Sequence, residues 1–127
     1  MVGIVVVSHS SDLASGLADL AGQVAGSDVR IEAAGGGPND TLGTDEQLVR
    51  DAIARADQGD GVVVLCDLGS AVLTVRHLLD GRNGNGVVLA DAPLVEGAVA
   101  AAVVSSAGLE LHDVAKAAEE ARGASKL

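Results

Sequence analysis

Apolar residues divide the chain into short runs and longer periodic stretches. Four segments rich in valine, isoleucine, leucine and alanine predict β-strands, at residues 2–8, 29–33, 62–66 and 87–90. The first and third contain no charged residue, which is typical of strands that are covered on both faces of a sheet.

Between these strands, apolar residues recur every three or four positions and predict helices. Ser10 and Ser11 have hydroxyls suited to the start of the first helix, which ends at Gly26. Thr44 has the chemistry of a cap for the second helix. The apolar positions of the first three helices are Leu13, Leu17, Leu20 and Val24; Leu48, Ala52, Ile53 and Ala56; and Val72, Val75, Leu78 and Leu79.

A loop and two further helices complete the pattern. Segment 35–40, Gly-Gly-Gly-Pro-Asn-Asp, fits loop geometry, and the third helix ends in the glycine-rich stretch 81–86. Pro93 suits the first turn of a fourth helix that runs to about Ala107. A fifth helix extends from about Leu109 to Arg122.

Strands that alternate with helices form right-handed βαβ units around a parallel sheet. We therefore expect an α/β fold: a three-layer α/β/α sandwich with a mainly parallel central sheet in the strand order 2-1-3-4, as a single domain over residues 1–127. This order creates a crevice at the carboxyl ends of strands 1 and 3, where ligands of open α/β sheets collect. His9 follows strand 1 and Asp67 follows strand 3.

Composition argues against several classes of function. The chain has no Phe, Tyr or Trp to stack on a base, and its formal net charge of −10 disfavours nucleic acid and anionic membranes as partners. Its one cysteine, Cys66, cannot form an internal disulfide. The N-terminal Met-Val-Gly-Ile lacks the charged region that precedes the apolar core of a signal peptide, and no apolar stretch approaches the roughly 20 residues needed to cross a membrane. We expect a cytoplasmic protein without membrane insertion.

His9 and Asp67 suit phosphoryl transfer. A nucleophilic histidine must be neutral, with one ring nitrogen free and the other holding its proton against an acceptor. We expect Asp67 to be that acceptor and so to orient His9. A phosphorylated imidazole also needs hydrogen-bond donors and a positive helix end, which the amino terminus of the first helix could supply. The expected phosphoryl-binding residues are Ser10, Gly35, Gly36, Thr44, Gly69 and Ser70.

A structural interpretation of this pair stays open, because a histidine beside a helix start and an aspartate after a strand both commonly act as caps. Other polar residues favour structural roles. His77 and His112 fall on expected helix surfaces, and strand alternation turns Cys66 to the face opposite the aspartate, as an unreactive buried thiol. Asp91 is interpreted as a turn or cap residue and Glu96 as a solvated one.

Several familiar site motifs are absent from the sequence. It contains no G-x-x-x-x-G-K-[ST] loop, and its first strand-to-helix turn, Ser-His-Ser-Ser, lacks the glycines of a dinucleotide fingerprint. Three scattered histidines and one cysteine match no zinc spacing. We therefore expect neither direct nucleotide hydrolysis nor a cofactor or metal.

Five segments, in this order, carry a resemblance to a known family. They are GIVVVSHS at 3–10, AAGG at 33–36, GT at 43–44, DLGSA at 67–71 and DAPLVEGA at 91–98. Together they resemble the DhaM family, the phosphotransferase subunits of phosphoenolpyruvate (PEP)-dependent dihydroxyacetone kinase. That family is similar to the IIA domain (EIIA) of mannose-type sugar phosphotransferase systems (PTS), and the segments span nearly the whole chain.

The resemblance implies that His9 is the phosphorylated residue and that Asp67 supports it. It implies that His9 accepts a phosphoryl group from the phosphocarrier HPr and donates it to ADP bound in the subunit DhaL. DhaL would then phosphorylate dihydroxyacetone held by DhaK. The resemblance also implies a homodimer, with phosphate supplied by separate proteins, since this sequence lacks the HPr-like and enzyme-I-like domains of some relatives.

Three alternatives remain open at this point. An EIIA component of mannose-type sugar transport would use the same residues with another acceptor. A receiver-like signalling module would be phosphorylated on Asp67, but such a site needs an acidic pair after strand 1, where Ser8, His9 and Ser10 stand. A small chelatase with His9 as a metal ligand lacks a second histidine in a suitable position.

Overall fold

Four parallel strands form the central sheet of the computed structural model, which describes residues 1–80 and 86–127, apart from the side chain of Asp40. The strands are β1 (Gly3–Ser8), β2 (Ile31–Gly35), β3 (Val62–Cys66) and β4 (Val87–Leu89). They lie in the order β2-β1-β3-β4, and every pair is parallel. The predicted α/β fold and strand order are confirmed.

Helices cover both faces of this sheet. They are α1 (Ser11–Ala25), α2 (Glu46–Ala56), α3 (Gly69–Asp80), α4 (Leu94–Ser106) and α5 (Leu111–Glu120), with short 3-10 turns at Pro38–Asp40 and Ala121–Gly123. The predicted glycine-rich end of the third helix lies, at 81–85, outside the described residues. No helix in the described ranges is long and apolar enough to cross a membrane.

Alternating residues of β1 and β3 build the two halves of the core. Ile4, Val6 and Leu65 pack in the layer of α1, α4 and α5, whereas Val5 and Val7 pack in the layer of α2 and α3. All are fully buried. Valine, leucine, isoleucine and alanine therefore fill both layers of a chain that has no aromatic side chain.

The second strand begins and ends two residues later than predicted. Gly35, assigned to a loop from the sequence, is its last residue and pairs with Ser8 of β1. α1 passes so close that a Cβ at Gly35 would lie 2.7 Å from both the Ser10 carbonyl oxygen and the Ala14 Cβ. A glycine at this point thus belongs to the strand and permits close contact between strand and helix.

The predicted core face of α1 is largely wrong. Its buried positions are Ala14, Leu17 and Ala21. By contrast, Leu13, Leu20 and Val24 are 44%, 45% and 47% exposed. The helix lies too near β2 for large side chains, so alanines occupy most of its inner face.

Two predicted helix ends and one apolar position also need correction. Asp45, rather than Thr44, caps α2, because its carboxylate accepts a hydrogen bond from the Gln47 amide at 2.9 Å. Pro93 lies at the N-cap of α4, one residue before the first turn. Leu48 is exposed; the buried residues of α2 are Val49, Ala52, Ile53 and Ala56.

Candidate active site

His9 lies at the carboxyl edge of the sheet, between β1 and α1. In the parallel register of β1 and β3, Val7 pairs with Cys66, so the next residues, Ser8 and Asp67, are also neighbours. α3 begins two residues after Asp67, which brings Ser70 to the same edge. The structure therefore brings His9, Asp67 and Ser70 together at the predicted crevice.

Asp67 accepts three hydrogen bonds, and all come from the two turns that leave β1 and β3. Its Oδ2 accepts from the Ser8 hydroxyl at 2.7 Å and from the His9 backbone amide at 3.2 Å. Its Oδ1 accepts from the Leu68 amide at 2.7 Å. The carboxylate thus ties the two turns together through O–H and N–H donors.

Asp67 was expected to bind the His9 imidazole, but its carboxylate accepts a hydrogen bond from the His9 backbone amide instead. Side chains alternate along a strand, so Ser8 shares a face with Asp67, and His9 turns its ring away. Asp67 contacts His9 through the main chain instead. Its effect on the imidazole is indirect, through the path of the backbone.

Ser70 is the side chain that meets the imidazole. Its Oγ lies 3.2 Å from Nδ1 of His9 and 3.5 Å from Nε2. The hydroxyl can donate to a ring nitrogen or accept from one, so the tautomer decides the direction of this hydrogen bond. Because Nδ1 is the nearer atom, Nε2 is the freer of the two nitrogens.

The first turn of α3 carries unused donors beside His9. The first bond of the helix runs from the Val72 amide to the Leu68 carbonyl oxygen at 3.1 Å. Within the described ranges, the amides of Gly69, Ser70 and Ala71 have no hydrogen-bond partner. Unpaired amides and the helix dipole make such a terminus attractive to an anion.

α1, which was expected to supply these donors, is capped by its own sequence. The Ser10 hydroxyl accepts from the Leu13 amide at 3.3 Å, and the Ala14 amide bonds to the Ser10 carbonyl oxygen at 3.1 Å. The Ser11 and Asp12 amides, however, have no hydrogen-bond partner among the described residues, so a contribution of α1 to phosphoryl binding stays a prediction. Gly69 and Ser70, two further residues predicted for the site, belong to the amino terminus of α3.

The predicted Gly36, together with Gly43, shapes the turn around His9. The Gly36 amide donates to the Ser8 carbonyl oxygen, and the Gly43 amide donates to the carbonyl oxygen of His9, both at 3.1 Å. Gly36 has a φ of +83°, a conformation that favours glycine. These amides are already engaged and hold the backbone of the turn.

Thr44 does not present its hydroxyl at the rim of the crevice. It forms an isolated parallel bridge with Gly36. Its Oγ1 is buried and has no hydrogen-bond partner among the described residues. The hydroxyl therefore has an unused hydrogen-bonding capacity but no open path to solvent.

The remaining histidines and the cysteine do not join the site. His77 and His112 are exposed, as predicted. Cys66 is buried in the layer of α2 and α3. Burial, and to a smaller extent the charge of Asp67, raises the pKa of its thiol to about 12. The thiol stays protonated at neutral pH, which removes the thiolate that a nucleophilic cysteine needs.

A cavity of about 410 Å³ adjoins the site between α3 and the start of α4. Asp67, Gly69, Arg76 and Asp91 are among its lining residues. Asp91 also pairs with Arg122, whose guanidinium nitrogen lies 3.3 Å from its carboxylate. The sequence did not identify Arg76 as a residue near the site, because a basic residue on a helix surface is common.

Glu96 lies outside this cavity. It forms an ion pair with Lys126 at 2.8 Å, and the hydrogen bond to Lys126 lowers the pKa of its carboxyl. Within the part of the chain that the structure describes, no group of three or more His, Cys, Asp or Glu side chains could hold a metal ion.

Comparison with known proteins identifies the family of this chain. The family model EIIA-man, described as "PTS system fructose IIA component", matches residues 3–116. The chain belongs to the EIIA-man family. Several curated DhaM proteins are similar to it over most of its length, which confirms the resemblance carried by the five segments.

Two of these DhaM relatives match this chain over most of their own length. The phosphoryl donor subunit DhaM of PEP-dependent dihydroxyacetone kinase 2 from Listeria innocua is 39% identical over 108 residues, which cover 83% of this chain and 86% of that protein. The phosphotransferase subunit DhaM of a PTS-dependent dihydroxyacetone kinase from Lactococcus lactis is 33% identical, with 93% of this chain and 94% of that protein covered.

Other relatives are longer. The phosphoryl donor subunit DhaM of Escherichia coli K12 is 40% identical over 120 residues, which cover 90% of this chain but 25% of that protein. The chain thus spans about a quarter of the length of this and three other curated DhaM relatives. A crystal structure of EF1359, a protein of unknown function, superposes with a TM-score of 0.82 at 30% identity, over 94% of this chain and 95% of that one.

Proposed function

We propose that this chain is a phosphohistidine relay in PEP-dependent dihydroxyacetone phosphorylation. His9 accepts a phosphoryl group from HPr and transfers it to ADP bound in DhaL, which phosphorylates dihydroxyacetone held by DhaK. The observation that carries the proposal is the His9 imidazole beside the Ser70 hydroxyl, at a first turn of α3 whose amides have no partner among the described residues. Membership of the EIIA-man family and the description of relatives as phosphoryl donor subunits support it.

The contact with Ser70 selects the nucleophilic nitrogen in this proposal. Nδ1 keeps its proton and donates a hydrogen bond to the Ser70 Oγ, which leaves the lone pair of Nε2 free to attack. A bond forms between Nε2 and phosphorus while the bond from phosphorus to HPr breaks, and its electron pair stays with HPr. In the second transfer, an oxygen of the β-phosphate of ADP attacks the same phosphorus, and the electrons of the N–P bond return to His9.

The transferred phosphoryl group carries negative charge, so its stabilisation decides the rate of transfer. Gly69 and Ser70 would bind its oxygens through backbone amides and the Ser70 hydroxyl. Ser10, Gly35 and Gly36 would contribute by shaping the turn that carries His9. Thr44 would contribute to the same turn through its backbone bridge with Gly36, because its hydroxyl is buried away from the crevice.

Asp67 would support the reaction without touching the phosphoryl group. By accepting the His9 and Leu68 amides it fixes the turn of His9 relative to the start of α3. A negative carboxylate pointing at the phosphoryl group would repel it, so an orientation toward the main chain suits the proposed role.

We also propose that the chain is one domain over residues 1–127, acts in the cytoplasm as a homodimer and needs no cofactor or metal of its own. The exposed Leu13, Leu20 and Val24 of α1 support the dimer, because large apolar side chains on one helix face are commonly covered by a partner.

The central test is labelling with radioactive PEP, enzyme I and HPr. We expect one acid-labile, base-stable phosphate per chain, and none in His9→Ala. His77→Ala and His112→Ala are matched controls, because each removes an exposed histidine from a helix surface. Normal labelling of His9→Ala, or loss of labelling in either control alone, would contradict the proposal.

A second candidate is the EIIA component of sugar transport, which the description of the family model favours. It would use His9 in the same way and pass the phosphoryl group to a IIB sugar domain. Offering the labelled chain both DhaL with ADP and a IIB domain separates the two: ATP formation supports the relay, and transfer to IIB alone replaces it.

The same preparation tests a receiver-like module. Phosphate on Asp67 would be an acyl phosphate, which hydroxylamine releases at neutral pH, whereas phosphohistidine is identified by its lability in acid. Release by hydroxylamine together with retained labelling in His9→Ala would replace the relay with a receiver-like module phosphorylated on Asp67.

A further inference from the structure

Ser8 is one of two polar residues that are fully buried in the described part of the chain. It is 1% exposed, and the other, Ser105, is 0% exposed. The Ser105 hydroxyl donates to the Val2 carbonyl oxygen at 2.5 Å, near the amino end of β1. Ser8 lies at the opposite end of that strand, directly before His9.

The hydrogen bonds of Ser8 fix the direction of its proton. Its Oγ accepts from the Ser10 amide at 3.0 Å and lies 2.7 Å from Oδ2 of Asp67. An amide can only donate and an ionised carboxylate can only accept. The hydroxyl proton therefore points at Asp67, and Ser8 connects the backbone after His9 to that carboxylate.

Two links then run from the turn of His9 to one carboxylate oxygen. The His9 amide reaches Oδ2 directly, and the Ser10 amide reaches it through the Ser8 hydroxyl. The other oxygen, Oδ1, holds the Leu68 amide just before α3. Backbone on both sides of His9 is thereby held in register with the helix that carries Ser70.

We propose that Ser8 is a positioning residue for phosphoryl transfer at His9, a role that rests on the proposed function. Its hydroxyl holds the imidazole opposite Ser70 and the open amides of α3 without touching the phosphoryl group. In Ser8→Ala the Ser10 amide loses its acceptor and Asp67 loses its short hydrogen bond. The Asp67 carboxylate then holds the turn of His9 through the His9 amide alone. Misplacement of a reacting group by about 1 Å can slow a reaction by about a hundredfold.

The test compares Ser8→Ala with Ser105→Ala. Each replaces a buried serine by alanine and removes a hydroxyl that donates to an internal oxygen, but only Ser8 lies beside His9. We expect both variants to lose thermal stability. Only Ser8→Ala should lower kcat for labelling by phosphorylated HPr, by about tenfold or more, with KM for HPr unchanged because the buried Ser8 cannot touch HPr.

Equal slowing of both variants, or a wild-type kcat in Ser8→Ala, would overturn the proposal. If Ser8→Ala does not fold, Ser8→Cys takes its place, because it keeps the size of the side chain and only a weak donor. The same loss of kcat without a change in KM is expected from that variant, and its absence counts against the role of Ser8.

Amide hydrogen exchange separates a failure of this inference from a failure of the relay. The amides of His9 and Ser10 should exchange faster in Ser8→Ala than in Ser105→Ala, whatever the source of phosphate. If wild-type protein is not labelled but this difference is found, the relay fails and the positioning of His9 stands. Labelled wild-type protein with unchanged exchange and unchanged kcat in Ser8→Ala sinks only the role of Ser8.

Discussion

The Ser70 hydroxyl lies 3.2 Å from Nδ1 of His9, although 61 positions separate the two residues in the sequence. The contact exists because β1 and β3 are parallel neighbours and each is followed at once by a turn into a helix. Asp67 then fixes one turn against the other through two hydrogen bonds, from the Ser8 hydroxyl and the His9 amide, and its third hydrogen bond, from the Leu68 amide, holds its own turn. The reactivity proposed for His9 depends on that alignment.

Ser70→Ala is expected to slow labelling of His9 by about 10- to 100-fold. The loss should be smaller than that of a typical oxyanion-hole donor, because the amides of Gly69 and Ala71 remain. The initial rate of labelling by phosphorylated HPr measures it. Ser15→Ala, which removes an exposed hydroxyl from α1, should leave the rate unchanged. A wild-type rate in Ser70→Ala would remove the hydroxyl from the mechanism.

Asp67→Asn is expected to lower both stability and transfer. An amide side chain has one oxygen to accept hydrogen bonds, so a donor of Ser8, His9 or Leu68 would face its NH2 group. Loss of such a partner in a partly buried network costs about 1–3 kcal/mol. Chemical denaturation measures the free energy of unfolding, and labelling measures transfer.

Asp57→Asn is the control for Asp67. Its carboxylate accepts one hydrogen bond, from the Gly59 amide at 2.8 Å, in an exposed turn. An asparagine oxygen can accept that bond equally well, so little change is expected in either measurement. Equal effects of the two variants would show that the site around Asp67 is no more constrained than a surface turn.

The position of His9 and Asp67 could be predicted because it follows from topology. Alternation of strands and helices dictates a parallel sheet, and the order 2-1-3-4 brings the ends of β1 and β3 together. The atoms in contact could not be predicted in the same way. Whether Ser8 or His9 faces Asp67 depends on the residue at which the strand ends, since one position reverses the face.

Gly35→Ala should destabilise the fold and disturb the turn of His9. A Cβ at this position would lie 2.7 Å from the Ser10 carbonyl oxygen, the Ser11 Cα and the Ala14 Cβ. α1 must move to admit it, and overpacking of this kind costs about 1–3 kcal/mol. Because Ser10 follows His9, we expect labelling to slow as well as the melting temperature to fall.

Gly16→Ala is the matched control for Gly35. It lies within α1, and a Cβ there meets nothing within 4 Å. Alanine stabilises a helix interior by about 0.5–1 kcal/mol relative to glycine, so this variant should be slightly more stable and fully active. A stable Gly35→Ala with normal labelling would show that α1 can shift without displacing His9.

Close contact between α1 and β2 also explains which features of the sequence misled prediction. Leucine at 13 and 20 suggested an inner face, but the space beside Gly35 admits only small side chains such as Ala14. Hydrophobic spacing identifies a helix, whereas the distance to its neighbour decides which face is inside. The prediction of the α2 cap was wrong for a simpler reason, since Thr44 and Asp45 are adjacent and both residue types cap helices.

Cys66 should make stability fall at alkaline pH. Burial and Asp67 raise the pKa of its thiol from 9.0 to about 12. Well below pH 9 the thiol is protonated in both states and contributes no pH dependence. Above it the unfolded chain releases this proton while the folded chain keeps it, so the unfolded state binds fewer protons and the free energy of unfolding decreases. The slope from one such group is about 1.4 kcal/mol per pH unit. Denaturation between pH 8 and 11 measures it, and Cys66→Ala should show a slope shallower by that amount, since its other titrating groups are unchanged.

Identical slopes for the wild-type protein and Cys66→Ala would mean that the folded chain releases the thiol proton as readily as the unfolded one. Cys66 would then be open to solvent at the edge of the sheet that carries Asp67.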